Sequence, residues 1–376
     1  MRKKLINIAV IIPYHHNLYD TLIALQQKFS VMLYSSARVR EIPHFINHTV
    51  LPTFTPSKKI GATYYPSQLL KIITKNTDYV LVKHVISLTN FFVYLFCKLK
   101  KIKYIIMVQQ FHQFHYLWQR LLFSFLVSFF IGKSTPILAV TKQGKKDAQE
   151  YFSQVSYIPA CINPESFPLK KFSKKSSLHL LCVSKYMKRK NLPHLVSAIS
   201  SLIERYPHIH FDLTIIGTAF CIGAISRHNL KEKNVYADIK HLVRVLNLEK
   251  NVHLLVDIPH SQMSYHYSQS DLFVFPASSE PLGYSLLEAM AVGLPILCSE
   301  DVGAKSYVEH GQNGYIFNGK NPATIRFYIE KFIKNSIIHW EKINSFGKKS
   351  RIMVKKYHSP YFFLKSFYSL LKYKNL

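Results

Sequence analysis

Short apolar runs rich in Ile, Val and Leu alternate with longer segments of helical period along the 376-residue chain. Such runs, bounded by polar turns, suit strands buried on both faces, and intervening helices are what parallel strands need to connect them. In the first half the strand candidates are LINIAVII, VMLYSS, YVLVK, KYIIMV and ILAVT; in the second they are LHLLCVS, FDLTIIG, NVHLLV, LFVFPA and PILCSE. The pattern predicts an α/β protein with two open, doubly wound, Rossmann-like sheets. A chain of this length also exceeds one ordinary hydrophobic core. The stretch PLKKFSKKSS, 168–177, is basic, Ser-rich and without apolar periodicity, so it marks the joint. Domains are expected at 1–168 and 178–352. Residues 353–376 have the pattern of one amphipathic helix that packs back onto one of them.

Within the second half, SSEPLGYSLLEAMAVGLP reads as a loop and helix that follow the buried strand LFVFPA. Gly283 permits a positive φ or a close ligand approach, and the helix YSLLEAMAV stops at Gly293 with Pro295 just beyond. Backbone N–H groups of Leu282, Gly283, Tyr284 and Ser285 then stand at the positive end of a helix, at the carboxyl edge of a sheet. That is an anion site. Glu280 and Glu288 flank it as acceptors for hydroxyl groups, which suits a sugar nucleotide. The competing reading is structural: Glu288 serves only its helix and Glu280 only ends a loop. CVSKYMKRKNLPHLVSAIS supplies the complementary charge, because Lys185, Lys188, Arg189 and Lys190 lie where a strand turns into a helix and can neutralise a diphosphate.

Composition adds a strong positive field. The net charge is +29, and from Ile42 to Lys146 there are 14 Lys and Arg against one acid, Asp78. Anionic lipid, phosphorylated glycan or nucleic acid would be drawn to it. No zinc pattern or aromatic RNA-binding signature accompanies the charge, which disfavours nucleic acid as the partner. The five cysteines are scattered and lie mostly in apolar runs, as buried thiols of a reducing compartment do. The N-terminus has too short an apolar run for a signal peptide, and no apolar run approaches the ~20 residues that span a bilayer. LLFSFLVSFFIG, flanked by Arg120 and Lys133, fits a core helix first and an interfacial helix second. Among the histidines, His15, His16, His84 and His112 fall at predicted strand ends facing the cleft.

These pieces, in this order, resemble family 4 of retaining glycosyltransferases, whose GT-B fold places two Rossmann-like domains across a cleft. EPLGYSLLE is similar to the family's E-x7-E motif. CVSKYMKRKN is similar to its strand and basic turn, often written G-R-x4-K-G; IPACINPESF and SEDVGAKSYVEHGQNGYIF are similar to its neighbouring segments. The resemblance implies metal-independent transfer of a sugar, of hexosyltransferase type, from a nucleotide-diphosphate sugar. The acceptor would be a glycan or lipid-linked molecule of cell-surface polysaccharide or lipopolysaccharide biosynthesis. The enzyme would sit on the cytoplasmic face of the membrane. Glu280 would be the catalytic residue, contacting donor-sugar hydroxyls; Glu288 would hold the ribose; Lys185 and Lys190, with the backbone of Leu282 to Ser285, would bind the diphosphate. The sequence departs from the family at Lys185, usually Arg, and at Asn191, usually Gly. Gln109 and Gln110 stand where a His is common, and the opening loop PYHHNLYD lacks glycines. These departures support the alternative of a GT-B-fold glycan-binding or scaffold protein without turnover.

Overall fold

The computed structural model describes residues 6–12, 19–35, 47–51, 53–54, 63–74, 76–83, 87–109, 117–173, 177–218, 235–338 and 340–372. The chain forms two compact units, Met1–Cys161 with Pro360–Leu376, and Ile162–Ser359. The division therefore falls ahead of the basic stretch expected to be the joint. Pro168 and Lys170 already belong to the second unit, where the Lys170 amide donates to the Val292 carbonyl at 2.9 Å.

Unit 1 holds a seven-stranded parallel sheet. Its strands are β1 (Asn7–Ile12), β2 (Ser30–Ser35), β3 (Asn47–Val50), β6 (Tyr79–Lys83), β7 (Lys103–Val108), β8 (Ile137–Ala139) and β9 (Val155–Tyr157), in the order β3-β2-β1-β6-β7-β8-β9. A separate antiparallel pair joins β4 (Thr53–Phe54) to β5 (Thr63–Tyr64). The connecting helices are α1 (Tyr19–Gln26), α2 (Pro66–Ile72), α3 (Leu88–Lys100), α4 (Leu117–Leu126) and α5 (Lys142–Gln149). Ser87 caps α3 by accepting from the Asn90 amide at 3.0 Å, and Lys101 ends it in the left-handed region at φ 57°. β6 and β7 are almost entirely buried, as their unbroken apolar runs demand.

Unit 2 holds six parallel strands, β10 (Ser177–Val183), β11 (His210–Gly217), β12 (Val252–Val256), β13 (Leu272–Phe275), β14 (Ile296–Ser299) and β15 (Gly314–Phe317). Their order is β12-β11-β10-β13-β14-β15. Numbered within the unit this is 3-2-1-4-5-6, the dinucleotide-binding order, and its direction reverses between β10 and β13. The helices are α6 (Leu192–Arg205), α7 (Val235–Val245), α8 (His260–Gln269), α9 (Tyr284–Val292), α10 (Pro322–Ile338) and α11 (Trp340–Tyr357). α6 buries Leu192, Leu195, Val196, Ile199 and Leu202, one helical stripe, against β10 and β11. α9 is buried from Leu286 to Val292, a helix apolar on all sides with Glu288 at its middle.

The single helix expected over residues 353–376 is instead the end of α11 and a separate helix, α12 (Pro360–Lys372). Pro360, which cannot continue a helix ladder, opens the second. α12 belongs to unit 1, where Phe367 meets Phe29 edge-on at 5.7 Å between ring centroids. Cys97, Cys161, Cys182 and Cys298 are buried and unbridged. Burial pushes Cys97, Cys182 and Cys298 up to about 12, so these thiols stay protonated; Cys221 lies outside the described residues.

Candidate donor site at the switch point of unit 2

β10 and β13 are neighbours whose following connections leave in opposite directions. A crevice therefore opens outside their carboxyl ends. The segment after β10 is anchored by Tyr186, whose buried ring meets Tyr236 and whose hydroxyl donates to the carbonyls of Ile215 and Leu255, each at 3.0 Å. With Tyr186 pinned to the sheet edge, Lys185 and Lys188 are exposed and Lys190 is buried. Asn191 then turns the chain into α6 at φ 52°, in the left-handed region that Asn tolerates better than most residues. Its side-chain amide donates to the Pro276 carbonyl at 3.0 Å and to Gly319 at 2.9 Å. Asn thus supplies the conformation a Gly would, and adds two bonds.

The loop after β13 is zipped to this basic turn. Ser278 donates from both its amide and its hydroxyl to the Arg189 carbonyl, at 2.8 and 3.1 Å. Arg189 donates in turn to the Ser279 carbonyl and to Glu280 Oε2, the latter at 3.3 Å. Lys190 donates to the same carboxylate oxygen and lies 5.0 Å from the centroid of the Phe275 ring. Burial pulls the Glu280 carboxyl upward, but Lys190 and then Arg189 outweigh it and hold the group below the usual glutamate range. For Lys190 burial is the largest influence and lowers its pKa, against the opposing pull of Glu280. The loop's far side is fixed by the Gly303 amide, which donates to the Glu280 carbonyl at 2.8 Å, and by Ala304 N–H to Leu282 O at 3.1 Å.

Gly283 stands just before α9 at φ 81°, and a Cβ there would meet Phe275 Cε1 at 2.8 Å. Only Gly opens the helix at this angle this close to the ring. Leu282 is buried, and Ser285 donates from its hydroxyl to the Val183 carbonyl at 3.0 Å, tying the amino end of α9 to the end of β10. The positive end of α9, Lys190, Arg189 and Glu280 are thereby collected at one sheet edge. This arrangement can neutralise an anion and accept hydroxyl hydrogen bonds beside it.

Glu288 sits one turn into α9, is buried, and is not free as expected. Its two oxygens engage His260 Nε2 at 2.9 Å and the Tyr267 hydroxyl at 2.6 Å. Burial first, and then the Glu288 carboxylate, push the Tyr267 hydroxyl well above the ordinary tyrosine range, so it remains a donor. Each carboxylate oxygen keeps a further lone pair for another partner. His260 and Tyr267 were not singled out from the sequence. Their signal is the spacing of seven within HSQMSYHY, which puts both on one face of α8. Of the unit 1 candidates, Gln109 follows β7, half-buried, and its carbonyl accepts from the Thr141 hydroxyl at 2.7 Å. His15, His16, His84, Gln110 and His112 lie outside the described residues.

The family model described as glycosyl transferases group 1 matches residues 165–353, half of the chain and almost the whole of unit 2. An uncharacterized glycosyltransferase of Haemophilus influenzae is 27% identical over 256 residues, 65% of each chain. The chain spans less than two thirds of the length of this and the next curated relatives it matches. Among solved structures, a glycosyltransferase from Rickettsia africae aligns with a TM-score of 0.78 at 16% identity, covering 100% of both chains. The Anabaena protein HepE in complex with UDP aligns with a TM-score of 0.77 at 12% identity, covering 98% of this chain and 100% of that one. The fold is therefore GT-B, as the family resemblance implied, with the two Rossmann-like parallel sheets that the alternation of strands and helices leads one to expect. With the family match spanning the unit that carries the switch-point site, the chain belongs to the glycosyl transferases group 1.

Proposed function

We propose that the protein is a retaining, metal-independent member of family 4, its EPLGYSLLE segment serving as the E-x7-E motif. It transfers a sugar from a nucleotide-diphosphate sugar to a glycan or lipid-linked acceptor at the cytoplasmic face of the membrane. The observation that carries this reading is the Lys190–Glu280–Arg189 cluster beside the amino end of α9, at the switch point of a dinucleotide-order sheet. A diphosphate bound there meets the helix N–H groups of Leu282 to Ser285 and the charges of Lys185 and Lys190. The UDP bound by the Anabaena neighbour is a ligand of the same chemical class.

Glu280 accepts from Lys190 and Arg189. An arriving diphosphate competes for Lys190, and the released carboxylate accepts hydroxyls of the donor sugar. Glu288, already oriented by His260 and Tyr267, uses its remaining lone pairs on the ribose. In the transfer, the acceptor oxygen bonds to the anomeric carbon on the face the phosphate leaves. The anomeric carbon–oxygen bond breaks with its electron pair passing to the diphosphate, and a phosphate oxygen takes the acceptor's proton. No strong protein base is required, so a Gln at position 109 is compatible with turnover. Lys190 and the helix end stabilise the charge that develops on the leaving group. A thermal-shift screen of nucleotide-diphosphate sugars tests the site. A donor at 100 times its Kd stabilises by about 2.7 kcal/mol, and Glu280→Gln should lower turnover at least about a hundredfold with folding retained; a screen in which nothing binds refutes the reading.

A further inference from the structure

Resting on the membrane-surface part of that reading, we propose that the outward faces of α3 and α4 form one docking surface for an anionic lipid bilayer. The run around Leu121 to Gly132, expected first as a core helix, is only half one. Phe123 and Val127 turn inward and are buried, while Leu121, Leu122, Phe125 and Phe129 face out. On α3 the same division holds: Val93 and Cys97 are buried, whereas Phe91, Leu95 and Leu99 recur every four residues on the opposite side. Exposure along these faces runs upward from 37% at Phe91 and Leu95. Leu99 is 71% exposed, Phe129 69%, Trp118 62% and Leu121 61%. The two faces are continuous, because Phe91 of α3 meets Phe130 edge-on at 5.5 Å, in the wide turn Val127–Ile131 that prolongs α4. Scattered surface hydrophobics need no explanation, but a contiguous patch over two adjacent helices marks a binding surface.

The charges around the patch identify what covers it. Lys98 and Lys101 at the end of α3 and Lys133 after α4 are exposed. Arg120, on α4 itself, pairs with Glu150 at 3.2 Å. From Ile42 to Lys146 there is a single acid. A second copy of the chain would bring two such basic fields together and pay their repulsion, and a nucleic acid backbone offers nothing to Trp118, Leu121 and Phe129. Anionic lipid answers both features: head groups for the lysines, and an acyl boundary for aromatic and aliphatic side chains. No helix among the described residues is long and apolar enough to cross a membrane. The faces would therefore lie in the interface.

Sedimentation of the full chain with vesicles tests this without any donor. Vesicles of phosphatidylcholine with about one third phosphatidylglycerol should bind the wild type, with affinity falling as salt rises. Phe125→Asp/Phe129→Asp should lower the partition coefficient at least tenfold at every salt concentration. Lys98→Glu/Lys101→Glu should lower it severalfold at low salt and less at high salt. Both variants should keep the donor thermal shift, which reports an intact fold and unit 2 site. Should the apolar variant not fold, Trp118 reports directly: in a Trp340→Phe protein its emission should shift to the blue on anionic vesicles and be quenched by brominated lipid. Binding unaffected by the apolar substitutions, equal binding to pure phosphatidylcholine, or an unquenched Trp118 overturns the proposal. So does a solution dimer that the Phe125→Asp/Phe129→Asp variant dissociates. Failure of vesicle binding leaves the donor site standing, and failure of donor binding leaves the docking surface standing.

Discussion

Removing Glu280 should destabilise unit 2 more than removing its partner Lys190. The Lys190 side chain is 4% exposed, Glu280 19% and Arg189 36%. In Glu280→Ala the ammonium of Lys190 stays buried without its carboxylate, with Arg189 nearby to repel it, and breaking a buried pair in this way costs about 3–5 kcal/mol. In Lys190→Met the carboxylate is left with Arg189 at 3.3 Å and with partial access to water, so the cost is closer to about 1–2 kcal/mol. The double variant Lys190→Met/Glu280→Ala strands no charge at Lys190 and should lie near Lys190→Met alone, a coupling of more than about 1 kcal/mol. For a unit of this size each kcal/mol moves the midpoint by about 2–4 °C, so Glu280→Ala should melt roughly 10 °C below the wild type. Thermal and urea unfolding followed by circular dichroism measure both. A cost for Lys190→Met equal to or greater than that for Glu280→Ala, or additive effects in the double variant, would refute the asymmetry and with it the description of Lys190 as the buried, dependent partner.

Gly303→Ala should distort the same loop from its other side, because a Cβ there would fall 1.8 Å from the Pro281 carbonyl oxygen. It is expected to cost about 1–3 kcal/mol and to weaken the donor thermal shift, while unchanged donor binding would show that the loop tolerates the shift. Asn191→Gly keeps the left-handed turn but loses two hydrogen bonds, about 1–2 kcal/mol, and Asn191→Ala adds roughly 1 kcal/mol of backbone strain; equal melting points for the two variants would contradict this. The Glu280 carboxyl titrates lower in the folded protein than unfolded, so its stabilisation is fully present above its ordinary value of 4.5 and is lost as pH falls through the depressed one. The stability difference between wild type and Glu280→Gln should therefore hold steady from neutral pH to about 5 and shrink below 4.5, and a difference that grows on acidification would reverse the sign of the argument.

The ten strand candidates all coincide with strands, because short apolar runs bounded by polar turns are what parallel strands need, while the longer apolar runs FFVYLFC and LLFSFLVSFFIG are helical. β3, β9, β15 and the β4–β5 pair escaped that reading. They are short or half-exposed, and β3 is NHTV, largely exposed. The two ends of α9 were legible from Gly283 before it and from Gly293 and Pro295 after it, whose conformational roles are local. The partners of Glu288 were not, since His260 and Tyr267 reach it only when α8 lies against α9, a tertiary contact without a local signature. The apolar run LLFSFLVSFFIG was legible as a helix, but not which of its sides meets the sheet. A helix with Phe on both sides is compatible with burial or with a second partner, and only the packing of Phe123 and Val127 decides which face is left over. The terminal amphipathic pattern concealed the break at Pro360, which separates a helix of unit 2 from one of unit 1.

The most direct test of the account is release of nucleotide diphosphate from a panel of radiolabelled nucleotide-diphosphate sugars, with the anomeric configuration of the product read by NMR. The account predicts that at least one donor is turned over, onto water slowly and onto a membrane-derived acceptor faster. It further predicts retention of configuration at the anomeric carbon and at least about a hundredfold loss in Glu280→Gln. Donor binding without turnover on any acceptor or on water, or a product of inverted configuration, would contradict it.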